Sequence, residues 1–181
     1  RSEIMKSIFG VLPADAGEIW INGAIAHIKS PLEAKRAGLA LAPEDRKREG
    51  LVLGMSMSDN ISIPNLKDVG KAGSIRIRKK QALAAKYFKD LKITPNDPNR
   101  LAIYFSGGNQ QKGVIAKWLA TKPKVIILDE PTRGIDIGAK LEIYHLINDL
   151  AETGVGIIVV SSELPELIGI CDRILVVSNG A

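Results

Sequence analysis

Cysteine and histidine are nearly missing from this sequence. Cys171 is the one cysteine in 181 residues, which excludes an internal disulfide framework and fits a reducing compartment, with a buried structural thiol as its expected role. Only two histidines stand beside it, so metal sites built on Cys or His are not expected. Aromatic residues make up 4% of the chain, too few for a base-stacking platform. The net charge of +5 comes from dispersed basic residues whose densest runs are EDRKREG and IRIRKK. A solvated basic face is expected there, and no nucleic-acid partner. No apolar run approaches the roughly 20 residues that span a bilayer, and the start RSEIMKSIFG has no signal-peptide apolar stretch. A soluble globular protein is expected, with membrane contact at most peripheral. The chain is 45% hydrophobic and 25% charged, enough for one sizeable core with a small subdomain.

What the chain does have is short Val- and Ile-rich runs alternating with helical patterns. EIWING, LALAP, KVIILD, VGIIVVS and DRILVVSNG read as strands, several buried on both faces. Helices are predicted over Ser2–Phe9, Pro31–Ala37 behind the cap Ser30, Arg76–Leu91, Gly107–Ala120, Ile137–Glu152 and Glu163–Ile170. Between Gly54 and Tyr104 no strand is predicted. Breaks at Pro64, Gly70, Gly73 and Pro95 mark that stretch as a mainly helical insert in an α/β sheet domain.

Two stretches carry candidate chemistry. In YFSGGNQQKG, Ser106 suits an N-cap, which explains the serine. Gly107 and Gly108 inside the first helical turn each cost about 1 kcal/mol relative to Ala. Bare amides at the positive end of a helix dipole form an anion site such as phosphate uses, and a simple entry turn is the alternative. In KVIILDEPTRGID, a hydrophobic strand ends in Asp129 and Glu130, at the carboxyl edge where α/β proteins hold ligands. Either both acids cap the loop, or Asp129 holds Mg²⁺ while Glu130 polarises water as general base.

Taken together, these stretches resemble the ATP-binding domain of ABC transporters. FSGGNQQK is similar to its signature motif, VIILDEP to its Walker B strand and RGIDIGAK to its D-loop. The variant SGGNQQK, with AKWLATKPKVIILDEPTRGIDIGAK and EDRKREGLVLGMS, resembles the second ATPase half of bacterial monosaccharide importers of the ribose, galactose and xylose type, over essentially the whole chain. The resemblance implies a P-loop NTPase-like α/β core with a parallel sheet, a small antiparallel β part and a helical insert over 54–104. It also implies an ATPase using ATP and Mg²⁺. Catalysis falls to Glu130. Nucleotide binding falls to Arg1, Ser2, Ser106, Gly107, Gly108, Asn109, Gln110 and Asp136, and metal binding to Asp129, Ser2 and Glu44.

Departures from the family pattern matter as much. No G-x-x-x-x-G-K-[ST] run is present. Counting back from FGVLPADAGEIWING puts Arg1 at the phosphate-loop lysine and Ser2 at the Mg²⁺-ligand position, so the sequence begins inside that loop. Arginine there is not neutral, because its planar fork is bulkier than an ammonium. Glu44 stands where a Q-loop glutamine is expected, and Ser161 and Ser162 where a switch histidine follows IIVV. His145 is expected to be a surface or packing residue. The implied partners are a second ABC ATPase domain in the other half of a longer chain, whose ATP the helix start at Ser106 contacts, membrane permease subunits and, indirectly, a periplasmic or extracellular sugar-binding protein. The implied location is the cytoplasmic face of the inner membrane. A non-hydrolysing half that lends its signature motif to the partner's site is the alternative.

Overall fold

The computed structural model of the protein describes residues 1–71 and 74–178. Gly73 of the expected breaks, and Asn179 and Gly180 of the expected last strand, lie outside the described residues. Chain order gives α1 (Ser2–Ile8), β1 (Trp20–Ile21), β2 (Ala24–Ile25), α2 (Pro31–Ala37) and β3 (Leu39–Ala42), followed by a π-helical turn over Arg46–Gly50. Next come α3 (Met57–Ser62), α4 (Leu66–Val69), β4 (Gly70–Lys71), β5 (Ser74–Ile75) and α5 (Ile77–Asp90). The chain continues through α6 (Gly107–Leu119), β6 (Val125–Asp129), α7 (Ile137–Glu152), β7 (Gly156–Val160) and α8 (Leu164–Ile170).

The centre is a parallel sheet in the order β3-β6-β7, with Leu39 opposite Val125 and Asp129 opposite Val160. Period-2 alternation sends neighbouring residues to opposite faces. Leu39, Leu41 and Ile127 meet Phe9 and Ala34 on one side, while Ala40, Ala42, Ile126 and Leu128 meet α6 and the helical segment on the other. Trp118 of α6 touches both clusters, edge-on to Phe9 at 5.3 Å between ring centroids. Outside this sheet, β1 and β2 form an antiparallel hairpin closed by Asn22 and Gly23. Both turn residues have positive φ (52° and 76°), as the two-residue turns that match strand twist require.

Two expectations are corrected. The 54–104 stretch is mainly helical but contains the antiparallel pair β4–β5, with Gly70 opposite Ile75. Two-residue strands are too short to leave a periodicity in sequence. Nor is that stretch separately cored, since Met57, Ile61, Phe88 and Ala102 join the cluster that covers β6. The run DRILVVSNG forms no strand over residues 172–178, and Leu175 and Val176 are exposed. Alternating apolar residues make a strand only where a neighbour supplies ladder partners, and here the run borders an apolar cavity of about 640 Å³ alongside β7.

An ion pair anchors the helical segment. Ser56 caps α3, and Lys80 of α5 reaches Asp59 at 2.6 Å. The hydrogen bond from Lys80 first, then that from Ser56, holds the Asp59 carboxyl below the usual carboxylate range. A depressed folded pKa contributes stability that is fully present above the ordinary Asp value and lost as pH falls through the folded one. Lys80→Met is therefore expected to destabilise the chain by less than about 1 kcal/mol at neutral pH, the pair being partly solvated. The difference from wild type should vanish in strong acid. Melting curves across pH check this, and an equal deficit at neutral and acid pH would contradict it.

Candidate functional site

The carboxyl end of β6 is where polar side chains converge. Asp129 is buried at the last strand position, and the chain then leaves the sheet through Glu130, whose φ of 48° is left-handed. A non-glycine residue pays strain for that conformation, and such outliers concentrate at functional positions. The turn is fastened by Glu130 N–H donating to Val160 O at 2.8 Å and Arg133 N–H donating to Glu130 O at 3.1 Å. Ser2 Oγ donates to Asp129 Oδ1 at 3.1 Å, and Ser162 Oγ donates to Glu130 Oε2 at 3.3 Å. Arg1, Ser2, Glu44, Glu130, Arg133 and Ser162 line one polar cleft of about 540 Å³.

Glu44 is not a free ligand there. Its carboxylate forms an ion pair with Arg133, a residue that carries no signal of that role inside DEPTRG. The Arg1 guanidinium donates to Ser161 O at 2.6 Å. Among the oxygens that remain, which also include Glu3 of the cleft lining, the Ser2 hydroxyl with Asp129 and Glu130 suits a hard cation. Among the described residues no group of three or more His, Cys, Asp or Glu could hold a metal by itself. A hydroxyl with one or two carboxylates suits Mg²⁺, which keeps waters and shares few protein oxygens with substrate phosphates.

The start of α6 forms a second place, and its residues do not line the cleft. Ser106 is exposed and caps the helix through a long 3.4 Å acceptance from Asn109 N–H. Asn109 bends back to the loop before it, its Oδ1 accepting from Thr94 N–H at 2.7 Å. Gln110 points inward, donating to Ala102 O at 3.1 Å, so its side chain is not presented to an external ligand. Asp136 caps α7, accepting from Ala139 N–H at 2.9 Å. The two glycines differ. A Cβ on Gly107 would meet the guanidinium end of Arg46 at 2.9 Å, whereas one on Gly108 would stand 2.6 Å from Ala139 Cβ. Gly108 is buried and required by helix packing, while Ser106 is exposed and Gly107 and Asn109 are half-buried at the helix start.

Arg46 connects the two places. In the run EDRKREG, read from sequence as a solvated face, it is half-buried and donates to Arg133 O at 2.7 Å and Gly134 O at 3.1 Å. Burial lowers its pKa, with Asp45 opposing. Cys171, expected to be buried, is half-buried, and desolvation raises its pKa. His145 is exposed.

Solved structures share this architecture. A nucleotide-free ATP-binding cassette from an ABC transporter superposes with a TM-score of 0.78 at 22% identity, covering 94% of this chain and 69% of that one. A dimeric ATP-binding cassette bound to ADP and phosphate gives 0.73 at 20% identity, covering 91% of this chain and 71% of that one. The fold is that of an ATP-binding cassette. The model of the ABC transporter family matches residues 1–133, and the chain belongs to that family. Similar curated proteins include a putative ribose/galactose/methyl galactoside import ATP-binding protein of Agrobacterium fabrum, 49% identical over 180 residues. A ribose import ATP-binding protein of Bacillus subtilis is 51% identical over 180 residues. Each alignment covers 99% of this chain but 36% of the relative, so the chain spans little more than a third of the length of the curated relatives it matches.

Proposed function

We propose that this chain is one ATPase half of a carbohydrate importer, coupling ATP binding and hydrolysis to sugar transport. The observation that carries the reading is the Ser2 hydroxyl set on Asp129 beside Glu130 with its left-handed backbone. The near-half identity to ribose and galactose import proteins supports the substrate class. Ser2 and Asp129 would hold Mg²⁺, which supplies charge neutralisation at the transferring phosphoryl group. Glu130 orients and deprotonates the attacking water, and the Ser162 hydroxyl fixes its carboxylate. Arg1 supplies positive charge at the α1 end of the cleft. Ser106 and Gly107, open at the helix start, serve an ATP held by a second ATPase domain. Residues 54–104 form the insert that docks on membrane permease subunits, and a sugar-binding protein outside the membrane delivers the cargo. The site of action is the cytoplasmic face of the membrane; among the described residues no helix is long and apolar enough to cross one.

A non-hydrolysing half is the second reading. It is favoured by the Glu44–Arg133 pair and by Arg1 being engaged with Ser161 O, which leave Glu130 with few helpers. Amidating each half's acid in turn, in the assembled importer, tests both. Glu130→Gln is expected to cost less ATP turnover than the matching change in the other half, because no imidazole assists at Ser162. Equal losses would remove the asymmetry. A wild-type importer without ATP turnover would overturn the hydrolytic reading.

A further inference from the structure

Glu166 sits in the first turn of α8 with 6% of its surface exposed, and both of its carboxyl oxygens are occupied. Thr132 Oγ1 donates to Oε1 at 2.7 Å, and Ser161 Oγ donates to Oε2. Among the described residues Glu166 forms no ion pair. Hydroxyl donors therefore compensate the desolvation of this buried acid. As a source of stability that is a poor arrangement, since apolar packing in the same volume often does as well. As a way to fix geometry it is effective, because hydrogen bonds are directional and strengthen in a buried setting.

The two segments that meet on Glu166 are the ones that carry the cleft's chemistry. Thr132 lies two residues past Glu130 on the loop leaving β6. Ser161 directly precedes Ser162, whose hydroxyl donates to Glu130 Oε2. Ser161 is held three ways: its Oγ donates to Glu166 and accepts from Glu163 N–H at 3.0 Å, and its carbonyl accepts from Arg1. Fixing the Ser161 peptide fixes the direction in which Ser162 leaves the sheet.

We propose that Glu166 is a positioning residue that locks the Ser161–Ser162 segment to the loop after β6, keeping the Ser162 hydroxyl on Glu130. The kinetic consequence rests on the hydrolytic reading above, whereas the structural consequence does not. Glu166→Gln keeps the volume but places an amide donor against a hydroxyl that already donates. Thr132→Val removes the other donor with little change of shape. In the full-length protein assembled with its partners, each is expected to speed hydrogen exchange of the Glu163 amide about tenfold, with the β6 amides 126–128 unchanged. Each should lower kcat for ATP about tenfold at constant KM, with the double variant no worse than the more severe single one. Unchanged exchange at Glu163 would overturn the proposal, as would a rise spread equally over β6, the mark of general destabilisation. Local loosening with kcat intact would overturn the link to Glu130. Local loosening in a protein whose wild type shows no ATP turnover would support the lock while defeating the hydrolytic reading.

Discussion

Ser106→Arg is expected to abolish ATP turnover by the assembled importer, a loss of about 10²–10³-fold, while the protein still folds. The factor is that for removing one preorganised donor from a phosphoryl or acyl transition state. Here the side chain also blocks approach to the open amides of Ser106 and Gly107. The cost to folding is small because Ser106 is exposed and its capping bond is long at 3.4 Å. Losing a cap costs about 1 kcal/mol, which shifts the melting temperature of a domain this size by roughly 2–4 °C. Val114, Ile115 and Leu119, all buried, keep α6 in place. Paired melting and turnover measurements decide the matter. A variant that melts like wild type and hydrolyses ATP at full rate would leave the serine and glycines as a helix cap and nothing more.

Gly108→Asp is expected to fail in the opposite way, through the fold. From sequence the two glycines are equivalent, and a charge at either would be aimed at phosphate. The structure separates them, since a Cβ at position 108 lands 2.6 Å from Ala139 Cβ and 3.6 Å from Ile135 Cγ2. The obstacle is Ala139 Cβ, which is fixed to the first turn of α7 and has no rotamer to move to, whereas Ile135 is at ordinary contact distance. Overpacking costs about 1–3 kcal/mol, and a buried carboxylate without a partner adds several more. The variant should lose on the order of 10 °C or more in melting temperature or fail to accumulate in soluble form. A wild-type melting curve for Gly108→Asp would mean that α6 and α7 do not pack at this point in solution.

That contrast indicates what was legible in the sequence. Elements with a local start signal were: Pro31–Ala37 lies behind the cap Ser30, and the longer Ile137–Glu152 behind Asp136. So was the pairing of a buried Asp129 with an outward Glu130, because a strand end facing the loops is written in VIILDEP. The rest depended on partners distant in sequence. Arg46 looked solvated until the carbonyls of Arg133 and Gly134 came within its reach, 87 and 88 residues away. Glu44 read as a metal or water ligand until Arg133 claimed it. Gln110 read as part of a nucleotide contact, but the helix phase set by Gly108 turns it to Ala102 O. The run from Asp172 failed as a strand because propensity does not supply a neighbour to pair with. Glu166 gave no signal, being one more acid in a surface-like pattern.

The two tryptophans stand in opposite surroundings. Trp118 is half-buried on α6 against both core clusters, its ring against Phe9 and its indole nitrogen without a hydrogen-bond partner, while Trp20 is 57% exposed on the hairpin. An indole held in an apolar setting with no acceptor emits at shorter wavelength than one bathed in water. The chain thus carries an inner and an outer fluorophore of its own. Light from the inner one reports whether the two halves of the core are joined, without any label attached.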